Sequence, residues 1–154
     1  MDLSFLNDFL IQTTTSNLKT KGLYPDSVMG LDIKVSFGMG TPTHIPWLST
    51  LGPGMSTSNG YYPVYLYYKK RNILLLAYGI SEHVEYEEPW SRDIISNNKK
   101  IKDFLDNPYK YGDSLVFKSY SPQISSSGVK YFRDDKEITL NILAEDLTEI
   151  INKY

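Results

Sequence analysis

Tyr62-Pro63-Val64-Tyr65-Leu66-Tyr67-Tyr68-Lys69-Lys70-Arg71 is a strand pattern crowded with tyrosine that runs straight into three consecutive cations. Successive side chains on a strand point to opposite faces, so Tyr62, Val64, Leu66 and Tyr68 share one side, and Tyr61, Pro63, Tyr65 and Tyr67 the other. Neither side is polar. Helices packed on one face leave the second aromatic and exposed, and a contiguous exposed apolar patch marks a recognition surface. Aromatic rings beside positive charge are what holds an unstacked base next to a phosphate backbone, so the stretch points to nucleic acid.

Outward from this strand, Lys69-Lys70-Arg71-Asn72 is the short connection of a hairpin, and Ile73 to Ile80 is its second strand. Upstream, Leu31, Ile33, Val35 and Phe37 alternate with Asp32, Lys34 and Ser36 as a half-buried strand that ends at Gly38-Met39-Gly40. Residues 44–51 are a second apolar stretch, stopped by Gly52-Pro53-Gly54 and a polar turn through Gly60. Leu3, Phe5, Leu6, Phe9, Leu10 and Leu18 predict a first helix, broken at Lys21-Gly22 and Tyr24-Pro25-Asp26. Trp90, Ile94, Ile95, Ile101, Phe104 and Leu105 predict one helix after Pro89, residues 115–120 a strand, and residues 138–151 a closing amphipathic helix. Glu82, Glu85, Glu87 and Glu88 read as a solvated acidic loop that repels DNA. Parallel crossovers need about a dozen residues or more, so these short turns predict an α+β fold with a mostly antiparallel sheet of about four to five strands flanked by helices.

The chain of 154 residues has the length of a single domain, residues 1–154, with one core. It has no cysteine, which excludes disulfides and thiolate metal sites, and His44 and His83 carry no zinc-ligand spacing. That composition fits a reducing compartment. No apolar run reaches membrane-spanning length, and Asp2 and Asp8 stand where a signal peptide carries basic residues, so a cytoplasmic protein without a membrane partner is expected. A net charge of −2 argues against charge-driven coating of DNA. Through Ile80 there are six cations and four anions, and from Ser81 onward ten and fourteen, so the basic half is the one with the aromatic strand.

Val35-Ser36-Phe37-Gly38-Met39-Gly40, Ile45-Pro46-Trp47, Ser58-Asn59-Gly60-Tyr61-Tyr62-Pro63-Val64, Leu66-Tyr67-Tyr68-Lys69 and Leu76-Ala77-Tyr78-Gly79-Ile80-Ser81 together resemble the N-terminal DNA-binding domain of the McrB family, the GTPase subunits of modified-cytosine-dependent McrBC restriction systems. Lys110-Tyr111-Gly112 and the closing Ile150-Ile151-Asn152-Lys153-Tyr154 carry the resemblance over nearly the whole chain. It implies a module that flips 5-methylcytosine, or its 5-hydroxymethyl or N4-methyl counterpart, out of double-stranded DNA into an aromatic pocket. The pocket positions correspond to Trp47, Tyr62, Leu66 and Tyr111, and Met39 stands where the best-known member has tyrosine. The resemblance also implies an McrC-like endonuclease partner, met through a GTPase domain that is absent here, and no cofactor for this domain. GTP and Mg²⁺ belong to the parent.

The residues add a physical reading. Met39, a large apolar side chain between two glycines at a loop tip, is suited to enter the base step left by a flipped nucleotide, with Leu66 the next candidate wedge. Tyr62 and Leu66 lie about 13 Å apart on one strand face at about 3.3 Å per residue, enough to bracket a pocket floor. Lys69, Lys70 and Arg71 are either contacts to the DNA backbone or a solvated, edge-blunting hairpin tip. Trp47, Tyr62 and Leu66 also fit ordinary core packing, and Tyr111 a turn.

Two other function classes compete. Asp26, Asp32 and Lys34 imitate an Mg²⁺-dependent nuclease core, although Asp32 and Lys34 fall on the wet face of their strand and no further acidic ligand is near in sequence. The tyrosine surface also fits an aromatic cage of a protein-interaction module, which requires a cationic ligand. Gly38-Met39-Gly40-Thr41 lacks the following Gly-Lys-Ser/Thr of a phosphate cradle, so the domain is not expected to hydrolyse GTP, and a zinc deaminase has no cysteine to use.

Overall fold

The sheet is a meander in which every strand lies beside its neighbour in sequence, even where residues 81–114 separate two of them. The computed structural model describes residues 1–81 and 90–154; the acidic stretch with His83 lies outside the described residues. In order the elements are α1 (Ser4–Gln12), β1 (Ser27–Val28), β2 (Leu31–Ser36), β3 (Trp47–Leu51), β4 (Tyr61–Tyr68), β5 (Ile73–Ile80), α2 (Arg92–Asn97), α3 (Ile101–Phe104), β6 (Leu115–Ser125), β7 (Gly128–Arg133), β8 (Lys136–Ile138) and α4 (Leu140–Asn152). Each strand pairs antiparallel with the next, in spatial order β1 to β8.

The α+β class and antiparallel sheet match the sequence reading, but the described residues hold eight strands, not four to five. β7 and β8 escaped it because their hairpin turns on Asp134-Asp135. Both residues take positive φ, 52° and 64°, the backbone of a type I′ turn without the glycine that usually signals one. Ile138 belongs to β8, and the closing helix starts at Leu140 after an extended Thr139. β6 runs on past residue 120 because its first half pairs with β5 and its second half with β7.

Two predicted helices are shorter than expected. α1 stops at Gln12 because the hydroxyls of Thr13, Thr14 and Thr15 each donate to the carbonyl three residues back, and Gln12 Nε2 donates to the carbonyls of Asn17 and Lys19. Such side-chain bonds offer the backbone an alternative to the helical ladder. The helix expected after Pro89 divides into α2 and α3 at an extended Asn98, where Lys100 bridges to Leu115 and Val116 N–H donates to the Lys99 carbonyl at 2.9 Å.

The alternation in β4 builds two cores. Tyr65 and Tyr67 enter the one shared with Leu6, Phe9 and Leu10 of α1 and Leu143, Leu147 and Ile150 of α4. Tyr62, Val64, Leu66 and Tyr68 enter the other, with Leu75 and Ala77 of β5, under Ile45, Leu51, Ile101 and Leu105. The exposed aromatic face expected from the sequence is therefore corrected: Leu66 is 2% and Tyr68 4% exposed. Burying a side chain of this size gains about 1.5–3 kcal/mol, and here loops and the short α3 supply the cover.

A polar cluster ties α4 to the sheet. Tyr120 donates its hydroxyl to Asp146 Oδ2 at 2.6 Å, and Arg133 Nη1 reaches the same oxygen at 3.2 Å. Tyr120→Phe leaves this largely buried carboxylate with one partner fewer and is expected to cost about 1–3 kcal/mol in urea denaturation. An unchanged midpoint would mean that Arg133 alone satisfies Asp146.

Candidate nucleic-acid interface

Strand register assembles the site. β3 sets Trp47 opposite Leu66 and Ser49 opposite Val64, and β5 sets Gly79 opposite Tyr62. The β3–β4 ladder covers three residue pairs whereas β4–β5 covers eight, and proline is the reason. The N–H groups of Tyr67 and Lys69 point toward the β3 side, bonding the carbonyls of Pro46 and His44, and by the two-residue strand period so does the nitrogen of Pro63, which has no proton to give. Thr50 Oγ1 donates to the Pro63 carbonyl at 3.1 Å instead.

A cavity of about 220 Å³ lies on the second face of this region. Trp47, Tyr62, Leu66 and Tyr111 all line it, together with Ser49, Val64, Ser114 and the Gly79-Ile80-Ser81 segment. Tyr62, Val64 and Leu66 are buried floor, while the half-buried rings of Trp47 and Tyr111 stand at the rim. Tyr62 donates its hydroxyl to the Thr57 carbonyl at 2.8 Å. Burial, with a smaller contribution from neighbouring Tyr111, pushes its phenol up to about 12, so it stays neutral at physiological pH. Tyr111 has a left-handed backbone, φ 67°, a conformation that costs energy outside glycine. Its carbonyl accepts from Ser114 N–H, and the next residue's carbonyl accepts from Lys102 N–H at 3.0 Å, which fixes the ring at the rim.

Gly79 keeps the floor low. A Cβ there would lie 2.6 Å from the Tyr62 carbonyl oxygen and 2.9 Å from Val64 Cγ1. Sequence reasoning passed over Ser49, Val64, Gly79 and Ser114 as wall residues. For Ser49 a signal existed, since it follows Trp47 by two residues and shares its strand face.

Met39 stands outside the cavity, 96% exposed. Its loop joins Ser36 to Trp47, which face each other across the β2–β3 ladder. Gly38 holds φ at 119°, and a side chain there would collide with the Thr41 carbonyl at 2.2 Å. Thr43 N–H closes the loop onto the Phe37 carbonyl at 2.8 Å, leaving the methionine to project from the end of the sheet that carries Trp47.

Lys69, Lys70 and Arg71 form one turn of 3-10 helix between β4 and β5. The Arg71 guanidinium donates to the carbonyls of Asp106 and Asn107, and Tyr68 donates to the Lys110 carbonyl at 2.9 Å, so the residue 105–111 segment is strapped across the second face. Beside this strap lies a second cavity of about 330 Å³, lined by Tyr68, Lys70, Arg71 and the 76%-exposed Tyr109, whose ring meets His44 edge-on at 6.3 Å. Asp26, Asp32 and Lys34 are exposed residues at the β1–β2 end of the sheet, and no group of three or more His, Asp or Glu side chains among the described residues is placed to hold a metal ion.

A family model described as "MrcB-like, N-terminal domain" matches residues 8–154. The Type IV methyl-directed restriction enzyme EcoKMcrB subunit of Escherichia coli (strain K12) is 38% identical over 157 residues, covering 97% of this chain. The chain spans 31% of the length of that relative.

Gly79→Ala places a methyl group against backbone, which cannot swing aside. It is expected to destabilise the fold by about 1–3 kcal/mol, the usual range for overpacking, with thermal or urea denaturation as the measurement. A variant as stable as the parent would show that β4 and β5 part here at little cost.

Proposed function

The chain belongs to the MrcB-like N-terminal domain family, and from that premise we propose that it reads modified cytosine in duplex DNA for a restriction complex, taking the flipped base into the cavity between β3, β4 and β5. The observation that carries this reading is the cavity itself, which brings together Tyr62 and Leu66 of β4 with Trp47 and Tyr111 from separate parts of the chain. Its volume, about 220 Å³, falls below the roughly 300–1,000 Å³ of ordinary ligand pockets and suits a single planar ring.

The energetics are consistent with extrusion. Unstacking and unpairing a base costs a few kcal/mol, and stacking on an aromatic side chain returns about 1–3 kcal/mol per base. Trp47 and Tyr111 at the rim supply the stacking faces. Val64 and Leu66 supply an apolar surface for the added methyl, and one methyl group in such a pocket is worth about 1–3 kcal/mol. Met39 enters the vacated step. Lys69, Lys70 and Arg71 run beside the phosphates, Arg71 while also anchoring the strap that covers the second face. This domain performs no chemistry and needs no cofactor. In a longer protein, further domains supply the GTPase and the contact with an McrC-like endonuclease subunit, a reading supported by the coverage of only 31% of the methyl-directed relative.

One 5-methylcytosine should tighten binding about tenfold or more over the plain duplex. Trp47→Ala should remove about 1–3 kcal/mol of that affinity while preserving cooperative unfolding. Equal affinity for the two duplexes across several salt concentrations, measured by fluorescence anisotropy, would overturn the reading.

Wedge and pocket separate in a second measurement. Met39→Ala is expected to weaken binding and to dim a 2-aminopurine placed at the target base, a probe that brightens when unstacked. Undiminished fluorescence on saturated DNA would take the wedge role from Met39, and Leu66, the other candidate from the sequence, cannot inherit it because it is 2% exposed in the cavity floor.

A further inference from the structure

Ser49 sits on β3 across from Val64 and two residues beyond Trp47, so its side chain shares the face that carries the cavity. The residue is 1% exposed, and its hydroxyl has no hydrogen-bond partner among protein groups. The other two buried serines of the wall differ: Ser81 Oγ accepts from Gly60 N–H at 2.9 Å, and Ser114 Oγ accepts from Ile80 N–H at 3.0 Å. Tyr62, the buried phenol of the floor, is committed to the Thr57 carbonyl. Among the described residues only the Tyr65 hydroxyl shares the condition of Ser49, and Tyr65 belongs to the opposite core.

Leaving such a group unpaired is costly, and alanine at a buried strand position would avoid the cost; the Tyr65 hydroxyl bears that cost inside a packed core, whereas Ser49 lines a cavity from which a ligand can complete it. Stacking alone cannot supply base identity, because every base has a π-face. The rings of Trp47 and Tyr111 therefore hold a base without reading it. Hydrogen bonding at the base's polar edge is what distinguishes a held base from any other flat ring.

We infer that Ser49 is a base-binding residue whose hydroxyl bonds the polar edge of the base held in the cavity, an inference that rests on the base-pocket reading above. A serine hydroxyl both donates and accepts. Cytosine presents a ring nitrogen that accepts and an amino group that donates, so one rotation of the hydroxyl serves either atom, and the 5-methyl is left to the apolar walls.

The test compares the full chain with Ser49→Ala on three otherwise identical duplexes, whose target position holds 5-methylcytosine, cytosine or an abasic site opposite guanine. The variant should lose about tenfold in affinity for the methylated duplex and nothing for the abasic one, where there is no base edge to bond. Its melting temperature should be equal or higher, because no hydroxyl is left orphaned. Ser49→Cys, which keeps the shape with only a weak donor, should lose most of the same affinity. Parallel losses on the abasic duplex would make Ser49 structural and overturn the inference. Full affinity of Ser49→Ala for methylated DNA, where Trp47→Ala weakens it, would overturn the role of Ser49 and leave the pocket standing. If neither variant changes binding, the pocket reading fails and this inference with it.

Discussion

The register of β4 is the constraint on which the rest of the molecule depends. One strand buries both faces, and its odd and even residues go to different tasks: Tyr65 and Tyr67 pack against the helices, while Tyr62, Val64 and Leu66 form the floor of the cavity. A slip by one residue would exchange the two sets entirely. The helix-side core thus fixes the pocket side, since moving Leu66 away from Trp47 would also pull Tyr65 out of a site where it is fully buried. Gly79 reinforces the match, because only a residue without Cβ lets β5 pass Tyr62 and Val64 this closely.

Cavity and cover are two consequences of the same turn. β4 leads into the 3-10 turn, and that turn presents Arg71 to the carbonyls of Asp106 and Asn107. Together with the Tyr68 bond to the Lys110 carbonyl, this carries the chain over the second face and brings Tyr111 to the rim. One cation of the turn, Arg71, thus also takes part in folding the site. The aromatic lining is correspondingly preorganised, so little side-chain freedom would be lost on binding the proposed base.

Much of this was legible in the sequence, and the failures have physical causes. Strict alternation located β2, and the unbroken apolar run located β4 and β5, since period and length are local properties. The four pocket positions came from resemblance, and no periodicity argument joins Tyr111 to Trp47, because their meeting depends on a strap anchored by backbone carbonyls that carry no residue signature. β8 was hidden by a turn made of two aspartates in place of a glycine, and its Ile138 sits in phase with the helix that follows. The belief that the second face was open failed for a related reason: the cover is an irregular segment of mixed composition, invisible to pattern. Ser49 was readable as a face-sharing neighbour of Trp47, but its missing partner is a property of three dimensions alone.

If the cavity takes a base as proposed, the charge of the domain bears on how it would discriminate. A net charge of −2, with only two cations in excess through Ile80, is the charge balance of a domain whose sequence-independent attraction to phosphates is expected to be small. A reader gains from that weakness, because genomic DNA offers a large excess of plain sites and selectivity is the ratio of specific to non-specific binding. Affinity placed in a cavity for one base, where a single methyl and a single hydroxyl bond can each contribute about a factor of ten, raises the numerator of that ratio alone. The same two groups on a strongly basic domain would be outweighed by phosphate contacts common to every sequence. On the proposed reading, near-neutrality and a small pocket are therefore two halves of one solution, and the pocket would serve as a detector only while the surface around it stays weakly attractive.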